Sequence, residues 1–267
     1  MNKESRLQEA YLSRLEKQRR KIMAARILLA LAFFLLWETA ADRGWIDSFF
    51  FSSPSRLGRL FLSMWRDGSL FLHVGITLTE TLVSFALVVV IGLALSLLLW
   101  LSDSVFQVLE PYLVILNSLP KSALAPLLIV WLGANSRTII VAGMSVAIFG
   151  TILNLYTGFT ETSREKIRLI YTLHGTKKDA LTKVVLPSTV PMIISIMKVN
   201  IGLCLVGVVI GEFIGARNGL GYLIIYGSQV FQLDLVILSI LILCLMAMLL
   251  YGGVTAAEKL YHRRQHA

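Results

Sequence analysis

Three stretches of this chain, 81–102, 138–160 and 235–257, each run 22 residues or more without a charged side chain. An α-helix rises about 1.5 Å per residue, so about 20 apolar residues cross the hydrocarbon core of a bilayer. Lipid offers no partner for backbone N–H and C=O groups, so a spanning segment must satisfy them internally, as a helix does. Composition agrees: 56% of the 267 residues are hydrophobic and 15% are charged, against about 25% charge in soluble domains. The chain reads as an all-α integral membrane protein. The first 26 residues are polar and basic, and no small-residue cleavage site follows the first apolar run, so no secretory signal is expected.

Three further spans complete a set of about six. Residues 22–41 carry Arg26 and Glu38 near their ends, where both reach an interface. Residues 111–132 contain Pro120, Lys121 and Pro126, and residues 188–211 contain Lys198. Proline is tolerated in a membrane helix where neighbours satisfy the freed carbonyls. Charge orients the set. The net charge is +9, and seventeen of 25 Lys and Arg fall in residues 1–26, 164–183 and after Glu258. Basic residues collect on the cytoplasmic side, which places both termini and loop 161–187 inside and loop 42–80 outside. This distribution argues against nucleic acid as the partner.

The N-terminal segment 1–21 alternates acid and base from Lys3 and Glu4 to Arg20 and Lys21. It reads as a charged cytoplasmic helix preceding the first span. In the outer loop, Ser53-Pro54 is a helix-start signal. Leu57, Leu60, Phe61, Met64 and Trp65 follow at helical spacing among Arg56, Arg59 and Arg66. This helix lies on the membrane interface or packs on the outer ends of the spans. Cys204 and Cys244 sit in apolar runs without metal-ligand spacing and read as small buried hydrophobes. No repeat, low-complexity tract or second soluble domain is visible.

Loop 161–187 reads ETSREKIRLIYTLHGTKKDALTKVVLP. Residues 161–173 form one helical pattern with Ile167, Ile170 and Tyr171 on one side. His174-Gly175 is a break, with Gly175 able to take a left-handed cap. Thr176 can cap a second helix over 177–185. Leu186-Pro187 ends it, and Pro187 can open the next span. A helix-turn-helix fixed to two spans suits a lever pushed by a soluble partner.

This loop resembles the cytoplasmic coupling motif of ABC-importer permeases. Gly175 matches that motif's glycine and Leu186-Pro187 its Leu-Pro pair, while Leu169, Ile170 and Tyr171 stand where Glu-Ala-Ala is usual. Further matches follow in order. Residues 119–127 (LPKSALAPL) with Trp131-Leu132-Gly133 are similar to the third span of the nitrate/sulfonate/taurine-type permeases. Phe149, Asn154 and Gly158 fit their fourth span, although Gly150 stands where a proline is common. Lys198 matches a basic residue of the fifth span. Glu212 followed by residues 219–224 (GLGYLI) resembles their extracellular re-entrant segment, and residues 50–56 their entry to the outer helix.

The resemblance runs from about residue 50 to 260. It implies a type I ABC importer permease (MetI-like) fold in a bacterial inner membrane. It also implies two partner ATPase subunits that bind ATP and Mg, a second permease copy forming a homodimer, and an extracytoplasmic substrate-binding protein. No G-x-x-x-x-G-K-[ST] phosphate loop occurs in the chain, so it is expected to be no ATPase itself and to hold no cofactor. ATPase coupling is expected from Ile170, Tyr171, Gly175, Thr176, Lys177, Ala180, Leu186 and Pro187. No metal-ligand or Ser/His/Asp constellation appears; His73, His174, His262 and His266 are scattered.

Polar groups inside spans are costly and are candidates for a pathway. Asn117, Lys121, Asn154, Lys198, Asn200 and Glu212 are such groups. For the asparagines the competing role is an interhelical hydrogen bond. Each lysine lies about 15 Å from a cytoplasmic helix end, far to snorkel, so a solvated pathway or a carboxylate partner is expected. Two pathway lysines would suit an anionic solute such as a sulfonate or nitrate, with vitamin precursors also handled by the resembling group. The competing reading is a stand-alone secondary transporter or membrane enzyme. A secondary transporter would be expected to carry repeats and coupling carboxylates within its spans.

Overall fold

The computed structural model describes residues 3–265, with side chains from Lys17 to Tyr261. The acid-base pattern from Asn2 to Glu16, and His262 and His266, therefore lie outside the described side chains. Every regular element described is helical. The chain divides into two units, one up to Ser63 and one from Met64.

In the first unit, α1 (Lys3–Asp42) is one unbroken helix, so no boundary separates the charged segment from the first span. After the short α2 (Ser48–Phe51), α3 (Pro54–Arg66) begins with proline in its first turn, as the Ser53-Pro54 signal indicated. Its orphan N–H groups have partners. The Ser55 N–H donates to Glu38 Oε2 at 2.9 Å, and the Arg56 N–H to Ser53 Oγ at 3.4 Å. The Trp37 indole donates to the Phe51 carbonyl at 3.2 Å.

The second unit starts with α4 (Ser69–Leu101), whose 33 residues make about 50 Å, well past a core of about 30 Å. The expected span 111–132 is not straight. It is two helices, α5 (Asp103–Ser118) and α6 (Lys121–Leu132), bent by 96°. Leu119 is extended, at φ −61° and ψ 138°, as the residue before a proline prefers. Among the described residues, five helices are long and apolar enough to cross a membrane, six if this bent pair is one span.

The remaining elements are α7 (Ser136–Thr160), α8 (Arg164–Thr172), α9 (Lys177–Ala180), a π-turn (Leu181–Val185), α10 (Leu186–Gly215), α11 (Leu220–Gln229) and α12 (Leu233–Gln265). The core is α7 packed between α4 and α10. Val88, Ala147 and Cys204, one from each, are buried together. Small residues let the backbones meet, since a Cβ on Gly207 would fall 2.8 Å from Gly143 Cα. Hydroxyls stitch the pairs: Ser84 Oγ donates to the Ile140 carbonyl at 3.0 Å and Ser96 Oγ to Ile152 at 3.3 Å.

Candidate functional site

The segment between α7 and α10 is the expected helix-turn-helix, with three differences. Its first helix is shorter than 161–173, because α7 runs to Thr160 and α8 begins at Arg164. The left-handed residue is His174, at φ 61°, and not Gly175. The Gly175 N–H donates to the Ile170 carbonyl at 2.9 Å and the His174 N–H to Tyr171 at 3.0 Å. That pair of bonds is a Schellman close. Gly175 is required by close approach instead of by its φ: an added Cβ would lie 2.5 Å from Ile170 Cγ2 and 2.9 Å from Ile170 O. Third, Leu186-Pro187 does not end the second helix. The Leu186 N–H reaches back five residues to Leu181 O, and this π-turn runs into α10 without a break.

Thr176 caps α9 with a full capping box: its hydroxyl accepts from the Asp179 N–H at 3.2 Å, and its N–H donates to Asp179 Oδ2 at 2.9 Å. Lys183 adds an ion pair to Asp179 at 3.3 Å. Ala180, Leu181 and Val185 are buried against Trp100, Leu155 and Phe159, with Ile167, Ile170 and Leu186 packed alongside. Lys177 Nζ donates to the Leu101 carbonyl at 3.1 Å and lies over the Trp100 ring. The loop is thus clamped to the adjoining ends of α4 and α7.

Its outer side is apolar and bare. Leu169 is 59% exposed, Tyr171 46% and Leu173 71%. Of the residues singled out from sequence, Tyr171 belongs to this bare side. Ala180 is fully buried, and Ile170 and Leu186 are partly buried as part of the anchor. Leu169 and Leu173 were missed as site residues; the sequence shows three large apolar side chains within five residues of a basic loop, and only the structure shows them exposed.

The intramembrane polar residues separate into two groups. Asn117 and Lys121 lie at the α5–α6 bend, against the Gly150 and Phe149 stretch of α7. Lys121 Nζ donates to the Leu116 carbonyl at 2.5 Å and sits over the Phe149 ring. Asn117 Oδ1 faces Gly150, 3.1 Å from where a Cβ would stand. Asn154 lies exposed one turn further along α7. The other three are occupied in helix pairing. Asn200 Nδ2 donates to Thr151 Oγ1 at 2.7 Å and is buried. Lys198 is ion-paired to Glu258 of α12, which supplies the carboxylate partner and offsets its charge. Glu212 is buried, accepting from the Thr77 hydroxyl at 2.7 Å and the Gly221 N–H at 2.6 Å. It pins the N-terminus of α11, where Gly219 takes φ 115°.

Sequence comparison places this architecture. The profile described as "Binding-protein-dependent transport system inner membrane component" matches residues 88–265. The chain belongs to this family. It is an ABC-importer permease. It is 30% identical to a "Probable ABC transporter permease protein" of Haemophilus influenzae, over 89% of this chain and 95% of that one. It is 28% identical to the "Formylaminopyrimidine transport permease protein ThiX" of Halalkalibacterium halodurans, over 87% and 92%. Among solved structures it is similar to an inward-facing MetNI methionine ABC transporter chain. The TM-score is 0.62 at 20% identity, covering 69% of this permease and 92% of that chain. The MetI-like fold expected from the sequence is therefore present.

Proposed function

We infer that loop 161–187 is the surface through which separate ATPase subunits drive this permease. The observation that carries this reading is the bare apolar side of Leu169, Tyr171 and Leu173 on a loop whose other side is buried in the span ends. A rigid block of that kind passes a push at its surface to α4, α7 and α10 together. ATP and Mg would be held by the ATPase pair, and ATP-driven closure would move the spans between inward and outward access.

Two permease copies, related by a two-fold axis, would complete the pathway, with Asn117, Lys121 and Asn154 lining each half. An external binding protein would deliver the solute. Both lysines are already engaged, Lys198 by Glu258 and Lys121 by the Leu116 carbonyl. The pathway therefore favours a small polar solute recognised by amide hydrogen bonds over one captured by bare positive charge. A formylated pyrimidine, as in the name of the Halalkalibacterium relative, fits that chemistry. Both termini and the loop would face the cytoplasm.

The test is to co-purify the ATPase with Tyr171→Asp and Leu173→Asp variants and to measure solute-stimulated ATP hydrolysis in liposomes. Membrane insertion with loss of both is expected. Wild-type binding and hydrolysis in both variants would remove the loop from coupling. Cysteine labelling at Lys177 and Arg217 should report opposite sides of the membrane, and labelling from one side would refute the orientation.

A further inference from the structure

Two carboxyl groups meet on the side of the core away from the coupling loop. Glu80 of α4 is 3% exposed and Glu212 of α10 is 1% exposed, and their side chains are in hydrogen-bond contact with each other. Glu80 also meets the hydroxyl of Ser136, the first residue of α7. Carboxylate oxygens only accept, so a hydrogen bond between two carboxyl groups requires a proton on one of them. Two ionised carboxylates in contact and out of water would repel with nothing to offset the cost.

The surrounding donors say which group is charged. Glu212 Oε1 accepts from the Thr77 hydroxyl at 2.7 Å, and Oε2 accepts from the Gly221 N–H at 2.6 Å. Thr77 accepts in turn from the Leu220 N–H at 2.8 Å. Glu212 is therefore the carboxylate, and Glu80 is the neutral acid that donates to it. The other groups nearby fit this assignment. His73 Nδ1 accepts the Gly219 N–H at 3.0 Å, so that nitrogen carries no proton, and its ring stacks on Tyr222 of α11. Arg217 lines the cavity of about 200 Å³ that Glu80 and Ser136 also line. Arg137, beside Ser136, is exposed. Lys121 stands at the far end of α6, and Asp234 lies beyond the far end of α11. One proton on the pair leaves a single negative charge facing Arg217; with no proton the cluster would be left net negative.

We propose that Glu80 and Glu212 hold one buried proton between them, and that this acid–carboxylate bond is a pH-sensitive latch joining α4 and α7 to α10 and the start of α11. Glu80 is a positioning residue: its donated proton lets Glu212 keep one charge, with which Glu212 holds Thr77 and the α11 N-terminus. Loss of the proton puts two charges in contact and opens the latch. From about pH 6 upward the glutamates of an unfolded chain are ionised, while the folded pair keeps its proton. Stability therefore falls as pH rises, by about tenfold in the folding equilibrium per pH unit, until the pair itself ionises. The latch is separate from the coupling loop, and its test reads protonation and folding instead of transport.

Infrared spectra of the full-length permease are taken in a maltoside detergent, which has no ester carbonyl. At neutral pH the wild type should show the C=O band of a neutral carboxylic acid. Carboxyl-labelled (¹³C) glutamate should move that band, and alkali should remove it. Glu80→Gln keeps a donor to Glu212, so it should fold and lack the band. Its denaturation in detergent should also lose the pH slope of about tenfold per unit that the wild type shows. Absence of a neutral glutamic acid band from the wild type overturns the proposal. So does a band that persists in Glu80→Gln, or an equal pH slope in the two proteins. The band and its labelling shift are read on the wild type, so the test stands even should Glu80→Gln not fold.

Discussion

The permease holds two Leu-Pro pairs that end in opposite ways. At Leu119-Pro120 the chain turns by 96° between α5 and α6. At Leu186-Pro187 the helix continues, and the π-turn Leu181–Val185 absorbs the missing N–H. The local chemistry is the same, a residue pushed away from helical ψ and a lost donor. The surroundings differ. Leu181 and Val185 are buried between Trp100, Leu155 and Phe159, which holds the backbone on course. Leu119 is 37% exposed, and the bend is relieved by the Lys121 ammonium on the Leu116 carbonyl. Proline states a constraint; packing decides whether the helix bends or re-registers.

The largest effect should come from breaking the packed side. Ala180 is fully buried against α4 and α7. Ala180→Asp would place an unpaired charge there, costing about 4 kcal/mol. Thermal melting should fall sharply and the ATPase should no longer co-purify. An unchanged melt would mean that the loop is not clamped.

Next in size is the turn that feeds this packed helix. Gly175→Val should cost about 2 kcal/mol, because its side chain overlaps Ile170, and Ile170→Ala in the same chain should recover part of the loss. His174→Gly should gain about 0.5 kcal/mol, relief at positive φ less the entropy of glycine. Denaturation of the three variants in detergent gives the order. Gly175→Val as stable as His174→Gly would overturn close approach as the reason for the glycine.

Much of this was legible in the sequence. Charge-free runs located the spans, and Thr176, Gly175 and the two flanking helices outlined the loop, because capping and glycine signals act within a few residues. What depends on distant partners was not legible. The Lys198–Glu258 pair joins residues 60 apart in sequence, and Thr77 meets Glu212 at a separation of 135. The identity of the left-handed residue was misread for a related reason. Glycine suggests positive φ by propensity, while the observed need at Gly175 is room for Ile170. The π-turn had no local signal beyond Pro187 itself.

Replacing each proline by alanine should affect the two Leu-Pro pairs differently. Spin labels at Tyr112 and Val130, both well exposed, flank the α5–α6 bend. Pro120→Ala should lengthen their backbone separation from about 19 Å to about 27 Å, the value for a straight helix. Pro187→Ala should leave the π-turn region within about 1 kcal/mol of wild type, since packing already fixes the path. A bend that survives Pro120→Ala would show that tertiary contacts, and not proline, set it.

The smallest effect belongs to the lysine at the open bend. Lys121 places its ammonium on the Leu116 carbonyl, in the last turn of α5, and over the Phe149 ring. Carbonyls at a helix C-terminus lack intrahelical partners and carry partial negative charge. A cation there contributes about 0.3–1 kcal/mol. Lys121→Met keeps the stem and removes the charge, so it should lower stability by about that amount. Lys121→Arg should retain it. If the side chain serves only the helix end, both variants transport solute at wild-type rates in liposomes. If it also meets the solute, Lys121→Met loses uptake by far more than its stability change accounts for. The comparison of melting shift with uptake therefore separates a bend held by a cation from a bend that presents one.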